Sequence, residues 1–283
     1  KSLSEFAFGI SVPALLFRSI SVTEFPTVSP FLIWGAYFGA VAVTWIIGSI
    51  ATVTVLRRPA ADGVTVAMAA VYGNIVMLGI PLALAAFGPT AAGPLAVIVA
   101  VNTPILWLVA TLQIGWAERT SEQSIGALVA SLAKDLAKNP IVLGIVGGFL
   151  LRMTGLGLHP AVDKVLQLVG QAGVPTALVA LGASLLSFRI AGQVATLTTM
   201  CLLKLVVMPL IAWWLAFSVL DLPPGATKVV VLFAAMPTGV NAYLFAQRYS
   251  SGTAALSGTI ALSTALSLLS VAILLALMDS GLI

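Results

Sequence analysis

The chain has 283 residues, of which 60% are hydrophobic and only 8% charged, whereas a soluble domain carries about 25% charged residues. Such a chain cannot cover its apolar surface with polar groups in water, which makes it a multi-pass integral membrane protein. The 13 basic and 9 acidic residues are scattered singly, which excludes the basic face that nucleic acid requires. One cysteine, Cys201, and one histidine, His159, exclude an intrachain disulfide, a cysteine metal cluster and the paired-histidine zinc helix, so neither an enzyme nor a cofactor or metal site is expected.

A helix crosses the bilayer core in about 20 apolar residues, and nine apolar runs meet or approach that length. The first, 5–21, carries Val12-Pro13, and the second covers 31–56. The third, 63–87, contains Gly73-Asn74 and Gly79-Ile80-Pro81; the fourth, 92–116, contains Asn102-Thr103-Pro104 and Gln113. Residues 117–138 form the one sizeable polar link, read as an amphipathic segment on the cytoplasmic surface. Beyond it lie 139–155, 162–187 with Val174-Pro175-Thr176 and Ser184, 192–219 with Lys204 near its centre, 226–247 with Pro237-Thr238-Gly239-Val240-Asn241, and 254–278. The last run carries Thr259, Ser263, Ser267 and Ser270 at roughly helical spacing.

Alternating sides along the chain place Lys1, Arg57, Arg58, Arg119, Lys134, Lys138, Arg189 and Arg248 together, with Arg18, Arg152, Lys164 and Lys228 opposite. The positive-inside rule makes the richer side cytoplasmic and puts the C-terminus outside. The net charge of +4 therefore orients the protein and needs no anionic partner.

The sequence also repeats itself. SVPALLF at Val12 returns as GVPTALV at Val174, 162 positions on, and the stretch around Asn74 returns around Asn241, 167 positions on. An odd number of spans separates the copies, so they enter the membrane from opposite sides, as in an inverted repeat. We expect repeats over 1–116 and 139–283, with 117–138 as linker, and five helices in the parent of each, the first lying ahead of Lys1.

Within the third and eighth runs, helix breakers and an amide sit at mid-membrane. Proline removes a backbone donor, and freed N–H and C=O groups at this depth must be buried in protein or line a wet cavity. Paired broken helices at equivalent positions point to a midplane substrate site, where half-helix N-termini and amides present donors to an anion. The candidate binding residues are Asn74, Gly73, Asn241, Gly239, Pro81, Pro237, Lys204 and Asn102. For Asn74 and Asn241 the alternative role is to satisfy backbone freed by Pro81 and Pro237. Lys204 is an ionisable group at a depth where it is costly; it either compensates a substrate or replaces a coupling ion, or it caps free carbonyls. All nine acidic residues sit at or near span ends, so a conventional carboxylate proton relay is not expected. The polar stripe of the last run and Gln113 are cavity candidates or helix glue, since such groups contribute about 0.6 kcal/mol each on average to helix packing. His159 is given no role.

These residues resemble the auxin efflux carrier family, in the manner of its bacterial permeases, within the bile/arsenite/riboflavin transporter-like superfamily. The matching text is SVPALLFRS at 11–19, GNIVMLGIPL at 73–82, NPIVLGI at 139–145, VPTALVALGASL at 174–185, KLVVMPL at 204–210 and AAMPTGVNAYLFAQRY at 234–249. The resemblance implies ten helices in an inverted five-helix repeat, two crossing broken helices in a mobile region against a scaffold, elevator-like alternating access and a small organic anion, with Asn74 at the position that contacts the substrate carboxylate. The scaffold acid of the plant carriers has no counterpart in FLIWGAYFGAVAVTWII at 31–47, which favours a bacterial-type carboxylate permease of the cytoplasmic membrane. A homodimer is compatible with this reading. A sodium-coupled bile-acid-type symporter and a passive anion channel are the alternatives, and the coupling ion is open.

Overall fold

Three membrane helices share one local device: a widened π turn ends two residues before a proline. Ala7–Ser11 precedes Pro13, Ile75–Gly79 precedes Pro81, and Leu203–Val207 precedes Pro209. A proline ring strikes the carbonyl four residues back and offers no N–H; a wider turn moves that carbonyl aside, so the helix bends instead of ending. The computed structural model describes residues 2–22, 28–118, 126, 130, 133–134, 137–173, 175–177, 179, 193–248 and 252–280. Ser184, Val174 and most of the 117–138 linker lie outside the described residues.

The chain is an all-α polytopic membrane protein. In order, α1 covers residues 2–22, α2 Pro30–Thr54, α3 Gly63–Val71, α4 Ile75–Phe87, α5 Ala92–Glu118, α6 Pro140–Thr154 and α7 Pro160–Gln171. Then follow α8 Val194–Val219, α9 Pro224–Ala235, α10 Val240–Arg248 and α11 Thr253–Asp279. Among the described residues no strand forms; the sole β-type pairing is an isolated antiparallel bridge between Gly73 and Thr238. Four helices, over 30–54, 89–114, 194–219 and 253–279, are long and apolar enough to cross a membrane unaided. The runs predicted over 63–87 and 226–247 are each two half-helices, α3 with α4 and α9 with α10.

Helix ends follow their residues. Asn139 Oδ1 accepts from the N–H of Ile141 at 2.9 Å and starts α6, which stops at Gly155 in the left-handed region, φ 69°. His159, given no role above, caps α7: its Nδ1 accepts from Ala161 N–H at 3.3 Å.

Packing separates two groups of helices. In one, α1 lies against α6 and α7; in the other, α2, α3, α4, α8, α9, α10 and α11 pack together, and α5 touches both. The first group is held at backbone contact. A Cβ on Gly144 would lie 2.6 Å from the Pro13 carbonyl oxygen, and one on Gly148 2.6 Å from that of Phe17, the small-xxx-small approach by which apolar helices associate in lipid. On its other side α1 is tied to α7 by a bidentate pair, Arg18 Nε to Asp163 Oδ1 at 2.7 Å and the second guanidinium nitrogen to Oδ2 at 3.0 Å.

The outer surface of both groups is apolar. Ile46, Ile50 and Val53 of α2 and Leu266, Leu268, Leu269 and Ile273 of α11 are exposed, while Thr259, Ser263, Thr264 and Ser267 of α11 are buried. This inside-out arrangement suits lipid contact and would be an aggregation surface in water.

The glycine seam gives the first prediction. Gly148→Val should destabilise the protein by about 1–3 kcal/mol, the usual cost of overpacking, read as a lower unfolding midpoint in detergent. Gly9→Ala, whose new methyl would meet nothing within 4 Å, should leave the midpoint unchanged; equal effects of the two would refute the seam.

Candidate functional site

The two interrupted helices meet in mid-protein. Between α3 and α4 the chain is extended at 72–74, and between α9 and α10 at 236–239. The extended pieces run antiparallel and exchange two hydrogen bonds: Asn74 N–H donates to the Pro237 carbonyl at 2.7 Å, and Gly239 N–H to the Tyr72 carbonyl at 2.8 Å. Each break thus satisfies backbone groups that the other has freed, as mid-membrane burial demands. Glycine is required by proximity. A Cβ on Gly239 would sit 3.0 Å from the Gly73 carbonyl oxygen and 3.2 Å from Asn74 N.

Side chains complete the crossing. Thr238 Oγ1 donates to the Ala69 carbonyl at 2.8 Å, and Thr238 N–H donates to Ser263 Oγ of α11 at 3.1 Å. The hydroxyl of Tyr72 accepts from Asn241 Nδ2 at 2.8 Å and shares a hydrogen with Thr103 Oγ1 of α5 at 2.6 Å. Lys204, wholly buried, donates from Nζ to the Ala234 carbonyl at 2.9 Å, to Met208 Sδ at 3.0 Å and to the Val71 carbonyl at 3.5 Å. Val71 ends α3, and Ala234 lies one residue from the end of α9.

The crossing therefore sorts backbone dipoles by sign. The C-terminal ends of α3 and α9, which carry partial negative charge, meet the lysine. The N-terminal ends of α4 and α10, which carry partial positive charge, begin at Ile75 and Val240 beside Asn74 and Asn241. Asn74 is 7% exposed, and among the described residues its side-chain amide makes no hydrogen bond. A free amide beside two helix N-termini can bind an anion. Among the described residues no group of histidine, cysteine, aspartate and glutamate could hold a metal ion.

The model of the family described as membrane transport protein matches residues 1–275. The chain belongs to that family. This bears out the resemblance to the auxin efflux carriers drawn from the sequence. The chain is also 28% identical over 284 residues, spanning 99% of this chain and 87% of the other, to a protein of Rhizobium meliloti (strain 1021) provisionally named a malonate transporter.

In this membrane transport protein the structure brings together Gly73, Asn74, Pro237, Gly239, Asn241 and Lys204, six of the eight sequence candidates. Pro81 lies two residues past the π turn of α4. Asn102 is 1% exposed on α5 beside Thr103, and neither of its amide atoms has a partner among the described residues. Gln113 accepts from Trp45 Nε1 at 2.6 Å and donates to Ser49 at 3.4 Å, so it clasps α5 to α2. Of the polar stripe, Thr259 and Ser267 bond their own helix at Ala255 and Thr264, while Ser263 reaches the crossing. Sequence reasoning did not single out Tyr72 or Met208, and it named Thr103 and Thr238 only within the strings Asn102-Thr103-Pro104 and Pro237-Thr238-Gly239-Val240-Asn241. A tyrosine immediately before a Gly-Asn helix break was the available signal for the first of these.

Thr238→Val keeps the shape of the side chain but leaves the Ala69 carbonyl without its hydroxyl. It should cost about 1–3 kcal/mol, the penalty for an unsatisfied buried acceptor, measured by thermal unfolding, whereas Thr238→Ser should behave as wild type.

Proposed function

We propose that the chain is a secondary active transporter for a small organic anion, a carboxylate, which binds at the crossing and is released alternately to either side. The observation that carries this reading is the free amide of Asn74 set beside the N-terminal ends of α4 and α10. A carboxylate there accepts charge-assisted hydrogen bonds from backbone N–H groups and from the amide, which are about twice as strong as neutral ones. The match to a relative provisionally named for malonate supports the same class.

The two helix groups support an elevator-like motion. The crossing lies wholly within the larger group, whereas α1, α6 and α7 form a separate unit joined to it chiefly through α5. With α5 moving alongside it, tied by the Tyr72–Thr103 hydrogen bond, the larger group can carry the site past the smaller one and keep the crossing's own hydrogen bonds. In this reading 1–116 and 139–283 are the inverted repeats, and the chain lies in a bacterial cytoplasmic membrane with its C-terminus outside, as the distribution of basic residues supports.

The test is counterflow in proteoliposomes preloaded with malonate, malate, lactate or indole-acetate. Saturable exchange of at least one anion is expected. Asn74→Ala should weaken the apparent affinity by about 10–100-fold, the equivalent of about 1.5–3 kcal/mol for a hydrogen bond to a charged group, with its unfolding midpoint close to wild type. Unchanged affinity in a folded Asn74→Ala protein would remove Asn74 from the site. Non-saturating flux without exchange would make the protein a channel.

A further inference from the structure

We infer that the ammonium of Lys204 is the resident counter-cation of the crossing, so that anion transport by this chain requires no bound metal cation. This rests on the carrier reading above and specifies its coupling.

The argument is one of charge and occupancy. Each α-helix C-terminus carries roughly half a negative elementary charge, so the converging ends of α3 and α9 present about one in total. One ammonium balances them. Its Nζ lies within reach of three acceptors, the carbonyls of Ala234 and Val71 and the thioether of Met208, as many as the three N–H groups of an ammonium can serve. In transporters with broken helices, coupling cations are coordinated by unwound carbonyls and half-helix C-termini; here those atoms are already engaged.

The space is filled as well. A Cβ on Gly73, in the interrupted stretch of the crossing, would lie 3.2 Å from Lys204 Nζ and 3.4 Å from its Cε. Lys204 stands in the π turn Leu203–Val207, an interruption of the regular helix of the kind found at functional sites. Among the described residues no carboxylate pairs with it; Arg18–Asp163 and Arg58–Asp62 are pairs of other cations. The positive N-terminal ends of α4 and α10 are left for the transported anion alone.

The experiment compares wild type, Lys204→Met and Lys204→Gln in sodium, lithium and choline salts, by anion counterflow in proteoliposomes and by thermal unfolding in detergent. Wild-type counterflow should agree within about twofold among the three salts, and its unfolding midpoint should not respond to sodium. In the variants, counterflow in choline should fall about tenfold or more, and sodium or lithium should restore part of it and raise the unfolding midpoint, a coupling of about fivefold or more. A wild type whose transport or midpoint depends on sodium overturns the inference. So does a folded variant that transports normally in choline, or one that responds to no small cation. If no anion exchanges at all, the carrier reading fails, while the unfolding measurements still decide the role of Lys204. If neither variant folds, the salt response of the wild type decides it.

Discussion

A backbone interrupted at mid-membrane leaves N–H and C=O groups that neither water nor lipid will satisfy, and the rest of this structure is arranged around that obligation. Two interruptions placed side by side solve each other's problem through two reciprocal hydrogen bonds, Asn74 to Pro237 and Gly239 to Tyr72. Thr238, Ser263 and Lys204 take up further exposed groups from neighbouring helices. An unpaired group at this depth costs several kcal/mol, so the crossing tolerates few substitutions, and its glycines are fixed by closeness of approach, with no need for unusual backbone angles.

The same arrangement produces the electrostatics of the site. Interrupting a helix creates a negative and a positive end within a few residues, and crossing two such helices gathers like ends. Lys204 engages carbonyls at the negative ends, while the positive ends lie beside Asn74 and Asn241. The groups that make the break tolerable are those that give it a sign.

Packing elsewhere sorts the helices into two groups. Tight glycine contacts and the Arg18–Asp163 pair bind α1 to α6 and α7, while α2, α8, α9 and α11 enclose the crossing. Hydrophobic burial does not distinguish inside from outside in lipid, so small residues, buried hydroxyls and a few long-range hydrogen bonds specify which faces meet. That is why α11 buries its threonines and serines and exposes its leucines.

Much of this was legible in the residues. Composition alone determined a membrane protein, hydropathy runs with punctuating proline and glycine located the helices and their two breaks, and the repeat offset paired Gly73-Asn74 with Asn241, because these are local properties of a chain that must satisfy its own backbone. The role of His159 as a helix cap was missed, since one imidazole before a proline carries no distinctive pattern. Only the tertiary structure decided what meets at the crossing. Asn241 and Tyr72 are 169 positions apart, Lys204 and Val71 133, and no periodicity encodes such pairs. The alternatives for Lys204, a fixed cation that compensates a substrate or replaces a coupling ion, or a carbonyl cap, turn on what lies opposite its amine, and the carbonyls there come from how α3, α8 and α9 pack.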